Sequence, residues 1–243
     1  MNLKEGIILK AVKYQENHKL VTILTADGLF RLLVRGALNQ KSKTFAYAQE
    51  LIKIGFGFVA RNEQALKILT AGKIIDNYSR IKSDFHKLND AFIIIELADQ
   101  LGTHIEDGAT FYRFCSDILH LINTEDPADY YTVIFKLKTL YLLGVGPNFT
   151  SCVVCGTKED LVGFDFTAGG MKCKACRRRG DVFVEAETAV LCKFLYLTKL
   201  PNLTAEILGK LPDREPALTF IDRYYDNYLG YRSRAGKIID KMK

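Results

Sequence analysis

The sequence predicts an α+β multidomain protein with a five-stranded β-barrel at its N-terminus, an α-helical domain and an inserted four-cysteine element. Three observations lead to this prediction: short alternating strands up to about residue 75, helical apolar periodicity after that, and two CxxC pairs. We expect a barrel over 1–80, the first part of a helical domain over 81–150, the cysteine element over 151–180, and C-terminal helices over 181–243 that pack on the helical domain. A chain of 243 residues is long enough for more than one core.

Five short runs rich in Val, Ile, Leu and Phe predict the strands of the barrel. They read GIILKAVKY, HKLVTILTA, GLFRLLVRG, QELIKIGFGFV and QALKILTAGKII. Asp27-Gly28 predicts a tight hairpin between the second and third strands. The segment ALNQKSKTFAYA, after the third, has room for one helical turn. Five strands with a break after the third indicate a small closed barrel, most commonly an OB-fold, although an SH3-like barrel also fits.

After the predicted strands, apolar residues recur with the spacing of a helix instead of alternating with polar residues. In SDFHKLNDAFIIIELADQL, residues such as Phe85, Phe92 and Leu101 recur at three- and four-residue spacing, and GATFYRFCSDILHLI repeats the pattern. Asp126 as N-cap and Pro127 at the first helical position predict the start of a third helix that ends at Gly144. Two later runs, ETAVLCKFLYLTK and PALTFIDRYYDNYLGYR, predict helices that pack back on this bundle.

The two CxxC pairs have the spacing of a four-cysteine zinc site, with 17 residues between them. The predicted zinc ligands are Cys152, Cys155, Cys173 and Cys176. Four sulfurs fill a tetrahedral shell and leave no position for water or substrate, so the predicted Zn²⁺ is structural. A pair of disulfides or a redox dithiol is the alternative. Disulfides require an oxidising compartment, and a thioredoxin-like dithiol requires a single CxxC in a βαβ setting.

Basic residues are concentrated in the first third of the chain. Residues 1–80 contain 13 Lys and Arg against 6 Asp and Glu, whereas residues 81–150 contain 5 against 10. A basic barrel offers a docking field to a polyanion such as a nucleic acid. Tyr14, Phe30 and Tyr47 are candidate base-stacking surfaces beside it. The alternative is that these charges are an ordinary solvated surface.

The basic run Arg177, Arg178 and Arg179 follows the second CxxC pair, Lys172 directly precedes that pair, and Lys174 lies inside it. Such cations could contact phosphate, or they could offset the doubly negative zinc–thiolate centre. We assign phosphate contact to the three arginines and charge compensation to the two lysines.

No set of residues typical of catalysis stands out. The four histidines are scattered, and the chain contains neither a phosphate-binding GxxxxGK[ST] loop nor a GxSxG elbow. His120, Cys115 and Cys192 are interpreted as core residues. The first twenty residues lack an apolar segment, so we expect no signal peptide, no membrane association and a cytoplasmic location.

The order of these parts resembles the bacterial RecO recombination mediator family along nearly the whole chain. The resemblance rests on GIILKAVKY with HKLVTILT, VRGALNQKSK, YLLGVGP, CVVCG with GGMKCKAC, and FIDRYYDNYLGYRSR. It implies an N-terminal OB-fold, a helical domain and a zinc element. This chain departs from the family's dense basic string after the Arg35-Gly36 pair, where it has Ala37, Leu38 and Asn39.

The resemblance also implies a function without catalysis in DNA repair and recombination. A protein of this family binds single- and double-stranded DNA, anneals complementary strands and, with RecR, helps load RecA onto DNA coated by single-stranded-DNA-binding protein. The helical domain is expected to dock the acidic, hydrophobic-ended tail of that coating protein, with Lys136 or Lys138 as its cations. On the barrel the implied DNA-binding residues are Arg31, Arg35, Lys41 and Lys43, with Lys10 and Lys13 as weaker candidates.

Two other classes of function fit parts of the sequence. One is an RNA-binding or transcription-associated factor that combines an OB-fold with a zinc ribbon, which preference for RNA over DNA would favour. The other is a zinc-dependent nuclease or deaminase. A closed four-sulfur shell opposes it, because catalytic zinc keeps an open position.

Overall fold

The structure is a computed structural model that describes residues 3–62, 65–179, 183–184 and 186–230. These residues form two compact units, 3–125 and 126–230. The domain boundaries given above remain predictions, and the end of the segment 181–243, from residue 231, lies outside the described residues.

The first unit contains the closed barrel predicted from the sequence. Its strands follow the order β1-β2-β3-β5-β4 around the barrel, and β4 pairs with β1 to close it. All pairs are antiparallel except β3 with β5, which is the topology of an OB-fold rather than of an SH3-like barrel. The strands are β1 (Lys4–Tyr14), β2 (His18–Thr25), β3 (Gly28–Val34), β4 (Lys53–Val59) and β5 (Lys67–Asp76).

Apolar and polar residues alternate along the strands, and the apolar side chains fill the interior of the barrel. Its core is a cluster that includes Ile8, Ile23, Leu32, Ile54 and Phe56. The hairpin predicted at Asp27-Gly28 is present, since Thr25 pairs with Gly28 across a two-residue loop. One helical turn, α1 (Lys43–Ala46), follows β3 as expected, and the Ser42 hydroxyl caps it by accepting the Thr44 N–H.

Three helices complete the first unit: α2 (Ser79–Ser83), α3 (Phe85–Leu101) and α4 (Gly108–Thr124). α3 packs against β1 and β2 on one side and against α2 and α4 on others, so it is buried around most of its circumference. Phe85 was predicted on the apolar face, but it is 60% exposed, because it lies at the start of the helix. The interpretation of His120 as a core residue is also wrong, because His120 is exposed on α4.

The second unit packs helices around a small sheet of order β7-β6-β8. Its elements are α5 (Tyr131–Leu142), β6 (Leu161–Asp165), β7 (Gly170–Cys173), β8 (Phe183–Val184), α6 (Ala186–Leu197), α7 (Ala205–Leu208) and α8 (Glu215–Leu229). The helix predicted from Asp126 starts later, at Tyr131. The reason is tertiary: a turn before it buries Ala128 and Tyr130, and the Tyr130 hydroxyl donates to the Pro212 carbonyl at 2.5 Å.

Aromatic rings join the sheet to the helices of this unit. Phe164 of β6 lies 4.9 Å from Phe220 of α8 and 5.5 Å from Phe149, measured between ring centroids. The Tyr228 hydroxyl donates to the Phe166 carbonyl at 2.8 Å, just beyond β6. The hairpin that carries two of the cysteines is therefore fixed to α8 through side chains.

Gly170 allows the tight approach at the start of β7. A Cβ at this position would lie 2.5 Å from Val153 and 2.8 Å from the Asn148 carbonyl oxygen, so any larger residue would clash. Gly169 before it has φ of +70°, as a turn requires.

Among the described helices, none is both long and apolar enough to cross a membrane.

Candidate metal centre and cationic surface

The two CxxC pairs converge as the sequence predicted. The Sγ atoms of Cys152, Cys155, Cys173 and Cys176 all lie within 4.8 Å of one another. Cys155 Sγ and Cys173 Sγ, from opposite pairs, are 3.7 Å apart. That distance is far longer than a disulfide bond of about 2.05 Å. It matches the edge of about 3.8 Å that Zn–S bonds of about 2.3 Å give to a tetrahedron, so the donor set fits a zinc ion.

Backbone hydrogen bonds hold each CxxC turn in place. In the first turn, Cys152 N donates to Thr157 O at 2.7 Å and Gly156 N donates to Cys152 O at 2.8 Å. Gly156 has φ of +79°, a left-handed conformation that glycine adopts without steric cost. In the second turn, Arg177 N donates to Cys173 O at 3.1 Å around a 3-10 turn over Lys174–Cys176. The loops are thus shaped by the backbone to present four sulfurs to one point.

The electrostatics of this cysteine tetrad favour a bound cation. Burial raises the pKa of Cys152, but backbone N–H groups of Cys155, Cys173 and Val154 directed at its sulfur lower that pKa to about 6. Hydrogen bonds with the sulfurs of Cys155 and Cys173 raise the pKa of Cys176 to about 12. Four crowded thiols cannot all ionise by themselves, whereas a divalent cation stabilises all four thiolates and displaces their protons.

Charges around the tetrad differ from the sequence interpretation in one respect. Lys172 is buried and forms an ion pair with Asp165, so it does not serve mainly to offset a zinc–thiolate charge. Lys174 is exposed, and Arg177, Arg178 and Arg179 are all exposed directly after the second CxxC turn. Within the described residues, the tetrad is the one group of His, Cys, Asp or Glu side chains that could hold a metal ion.

In the first unit, the structure groups several predicted basic residues at one end of the barrel. The loop after β3 folds back, because Thr44 Oγ1 donates to Arg35 O at 2.8 Å. It also contacts the β1–β2 turn, where Leu38 N donates to Asn17 O at 3.3 Å. Lys13 of β1 lies directly opposite Lys19 of β2. We call the resulting group the cationic end; it consists of Lys13, Lys19, Arg35, Lys41 and Lys43.

The pairing of Lys13 with Lys19 has an energetic consequence. Like charges directly opposite each other on neighbouring strands destabilise a sheet. Lys19 was missed in the sequence analysis, although the hairpin between β1 and β2 could have identified it. Its ammonium donates to Ala48 O at 2.9 Å, which fixes the side chain beside α1.

Lys10 and Arg31 lie elsewhere on the barrel. Lys10 pairs with Thr22, and Thr22 pairs with Arg31, so the three residues form a row across β1, β2 and β3. Arg31 is exposed, whereas the Lys10 ammonium lies 3.7 Å from the Asp99 carboxylate of α3. Part of the positive charge of Lys10 is therefore already neutralised.

Of the three aromatic residues proposed for base stacking, only Tyr14 is exposed. Tyr47 packs on β5, since a Cβ at Gly72 would lie 2.7 Å from its ring. Phe30 is covered by Lys4 and Lys67, whose ammonium groups lie 5.1 and 5.5 Å from the ring centroid. Of these three residues, Tyr14, at the end of β1 next to Lys13, is the one that the fold leaves accessible.

The lysines suggested for docking an acidic tail are engaged in the second unit. Lys136 is buried and forms an ion pair with Asp222. The Lys138 ammonium donates to the carbonyls of Tyr196 at 3.1 Å and Thr198 at 2.7 Å, and burial lowers its pKa. Lys136 is therefore structural, and Lys138 holds the C-terminal end of α6.

An exposed apolar face on α5 and α6 lies next to Lys138. Val190, Phe194 and Leu197 follow one side of α6 and are 63%, 37% and 53% exposed. Tyr141 of α5 is 69% exposed, and its ring lies 6.2 Å from that of Tyr196 on α6. We call Tyr141, Val190, Phe194 and Leu197 the α6 face.

We predict that Cys173→Ser removes one sulfur from the tetrad, loses the metal and destabilises the second unit. Loss of a thiolate from a four-sulfur site removes binding energy that also stabilises the fold. Zinc content per chain, measured on purified protein, should fall from about one to near zero, and thermal unfolding should begin at a lower temperature. Cys192→Ala, which removes a buried thiol outside the tetrad, is the control and should keep its zinc. Full zinc content in Cys173→Ser would refute the ligand set.

Comparison with known proteins places the chain in a family. A family model described as Recombination protein O N terminal matches residues 1–78, and one described as Recombination protein O C terminal matches residues 82–235. DNA repair protein RecO of Halalkalibacterium halodurans is 27% identical over 243 residues, which cover 98% of this chain and 94% of the relative. The proteins of the same name from Exiguobacterium sp. and Oceanobacillus iheyensis are 28% and 29% identical, with 98% of this chain and 94% and 92% of the relatives covered. The two family models together match both halves of the sequence. The chain therefore belongs to the recombination protein O (RecO) family of DNA repair proteins.

Proposed function

We propose that this protein is a recombination mediator that acts without catalysis. It binds single- and double-stranded DNA, anneals complementary strands and, together with RecR, helps load RecA onto DNA coated by single-stranded-DNA-binding protein. Membership of the RecO family supports this function in general. The observation that supports its physical basis is the cationic end of an OB-fold, which includes two lysines held directly opposite each other.

DNA binding in this proposal combines phosphate contacts with base stacking. The cationic end lies at the β1–β2 turn and beside β3, which is the region where OB-folds receive oligonucleotides. Arg35, Lys41 and Lys43 would neutralise phosphates, and Tyr14 would stack on an unpaired base. Arg31, on β3, would contact a further phosphate of the same DNA strand. Lys10 would contribute less, because Asp99 lies beside it.

Annealing follows from the same neutralisation. Two complementary strands repel each other through their phosphates, and lysine and arginine side chains that replace condensed counterions reduce this repulsion. Phosphate contacts carry no base identity, so pairing between the strands is left to select the correct partner. No nucleotide hydrolysis is needed for this step.

We assign the cysteine tetrad to structural Zn²⁺. Four thiolates leave no open coordination position, so the metal's contribution is to stabilise the element that carries it. The exposed run Arg177, Arg178 and Arg179 would then provide a second phosphate contact in the second unit, because Cys176 fixes its start.

The α6 face is the proposed dock for the acidic, hydrophobic-ended tail of the single-stranded-DNA-binding protein. Exposed Phe194 and Leu197 would receive the hydrophobic end of the tail. Lys193, within the face, and Lys199, just after α6, would attract its carboxylates, in place of the engaged Lys136. Together with DNA binding, this contact would place the protein in the cytoplasm at the nucleoid.

An RNA-binding factor with the same two modules is the second candidate, because phosphate contacts do not distinguish RNA from DNA. Preference for RNA over DNA of the same sequence would favour that candidate.

We predict that Arg35→Ala combined with Lys43→Ala weakens binding to single-stranded DNA about equally for all sequences. Each lost phosphate contact should reduce the slope of log affinity against log salt by about 0.7 for single strands, so the double variant should lose about 1.4. Binding is measured by fluorescence anisotropy at several salt concentrations.

The matched control for this experiment is Arg113→Ala with Lys82→Ala, which removes one arginine and one lysine from exposed positions on α4 and α2. The control should retain the original slope. A slope that is unchanged in Arg35→Ala with Lys43→Ala would exclude the cationic end as the DNA surface.

We also predict that Phe194→Asp abolishes binding of a peptide with an acidic, hydrophobic-ended sequence, because it places a negative charge where the apolar end would pack. Ile207→Asp is the control, since Ile207 is 38% exposed, close to the 37% of Phe194, and lies on α7. Peptide binding is followed by calorimetry. Equal affinities in the two variants would contradict the assignment of the α6 face.

A further inference from the structure

The four cysteines of the tetrad differ in their access to solvent. Cys152 and Cys173 are each 2% exposed, Cys176 is partly exposed, and Cys155 is exposed. A small oxidant can therefore approach Cys155 more readily than the other three. Cys155 is also the last cysteine of the first CxxC turn and directly precedes Gly156, which has φ of +79°.

Cys155 has a partner within reach on the opposite turn. Its sulfur lies 3.7 Å from Cys173 Sγ, so the two atoms need to move about 1.7 Å closer to form a disulfide of about 2.05 Å. The sulfurs belong to different CxxC turns, and a bond between them would remove two ligands from the metal at once.

The remaining cysteines of the chain do not compete for an oxidant. Cys115 and Cys192 are both buried, and burial raises the pKa of Cys192 to about 12 and raises that of Cys115 as well. In the tetrad, by contrast, Cys155 is exposed. Oxidants react with accessible cysteines, whereas cysteines buried in apolar surroundings are inert.

We propose that the cysteine tetrad is a redox switch in which a peroxide oxidises Cys155, Cys173 completes a disulfide across the two CxxC turns, and the metal is released. This inference rests on the proposed zinc assignment, and it concerns the regulation of that site. It does not depend on the assignment of the DNA surface of the barrel.

The chemistry balances with a hydroperoxide as the oxidant. The Cys155 thiolate attacks one peroxide oxygen, the O–O bond breaks, and the sulfenic acid and a hydroxide form. The Cys173 thiolate then attacks the sulfenic sulfur, the S–S bond forms and a second hydroxide leaves. Two protons convert both hydroxides to water when the oxidant is hydrogen peroxide. The two cysteines lose two electrons in total, the peroxide gains them, and a dithiol reductant reverses the change.

Oxidation would act on the arginine run through Cys176. With two of four ligands lost, Zn²⁺ leaves the site, and Cys176 no longer holds the 3-10 turn that precedes Arg177. The switch would therefore weaken the second phosphate contact and leave the cationic end of the barrel unchanged.

The test uses the whole purified protein after its zinc content has been measured. Hydrogen peroxide is added, zinc release is followed with a colorimetric chelator, and free thiols are then alkylated before digestion with trypsin. Cleavage after Lys138, Lys158, Lys172 and Lys174 puts Cys155 in peptide 139–158 and Cys173 in peptide 173–174. We expect release of about one zinc per chain together with a disulfide that links these two peptides, assigned to Cys155 by fragmentation. Dithiothreitol and added zinc should restore the starting state.

Other outcomes overturn the proposal in distinguishable ways. Zinc that stays bound under peroxide, or a disulfide confined to Cys152 and Cys155, refutes the switch and leaves the zinc assignment intact. Protein that contains no zinc before oxidation refutes the zinc assignment and the switch with it. The control Cys192→Ala should release zinc like the wild type, and a loss of release in that variant would place the reactive thiol outside the tetrad.

Discussion

The antiparallel register of β1, β2 and β3 is the constraint on which the proposed DNA surface depends. This register places Lys13 opposite Lys19 and aligns Lys10, Thr22 and Arg31 in one row. The apolar core enforces it, because a shift by one residue would turn the inward-facing Ile8, Val21 and Leu32 outward. Core packing thus holds two lysines opposite each other, although like charges at such a pair of positions destabilise a sheet.

The second unit depends on a different mode of stabilisation. A sheet of three short strands buries little surface by itself, and it is stabilised from two sides. The rings of Phe149, Phe164 and Phe220 pack together and join the sheet to α8. The four sulfurs of the tetrad converge at the two CxxC turns, which precede β6 and follow β7. A structural metal is a common supplement where the apolar core is small, and the fit of the tetrad to Zn²⁺ agrees with that need.

Local patterns predicted much of this architecture. The CxxC spacing identified the tetrad because both turns are short and lie close in sequence, and strand alternation with the Asp27-Gly28 hairpin identified the barrel. Features set by distant parts of the chain were missed. The delayed start of α5 reflects burial of Tyr130 against Pro212, and the burial of Lys136 depends on Asp222, 86 residues away. Such contacts leave no signal in the periodicity of either segment.

The most direct test of the account is the annealing of two complementary strands that are coated with the cognate single-stranded-DNA-binding protein, followed with and without this protein in the absence of ATP. A mediator that neutralises phosphates and docks the coating protein should accelerate annealing, and added salt should suppress the effect. No acceleration, with binding to RNA retained, would contradict the account and favour the RNA-binding factor.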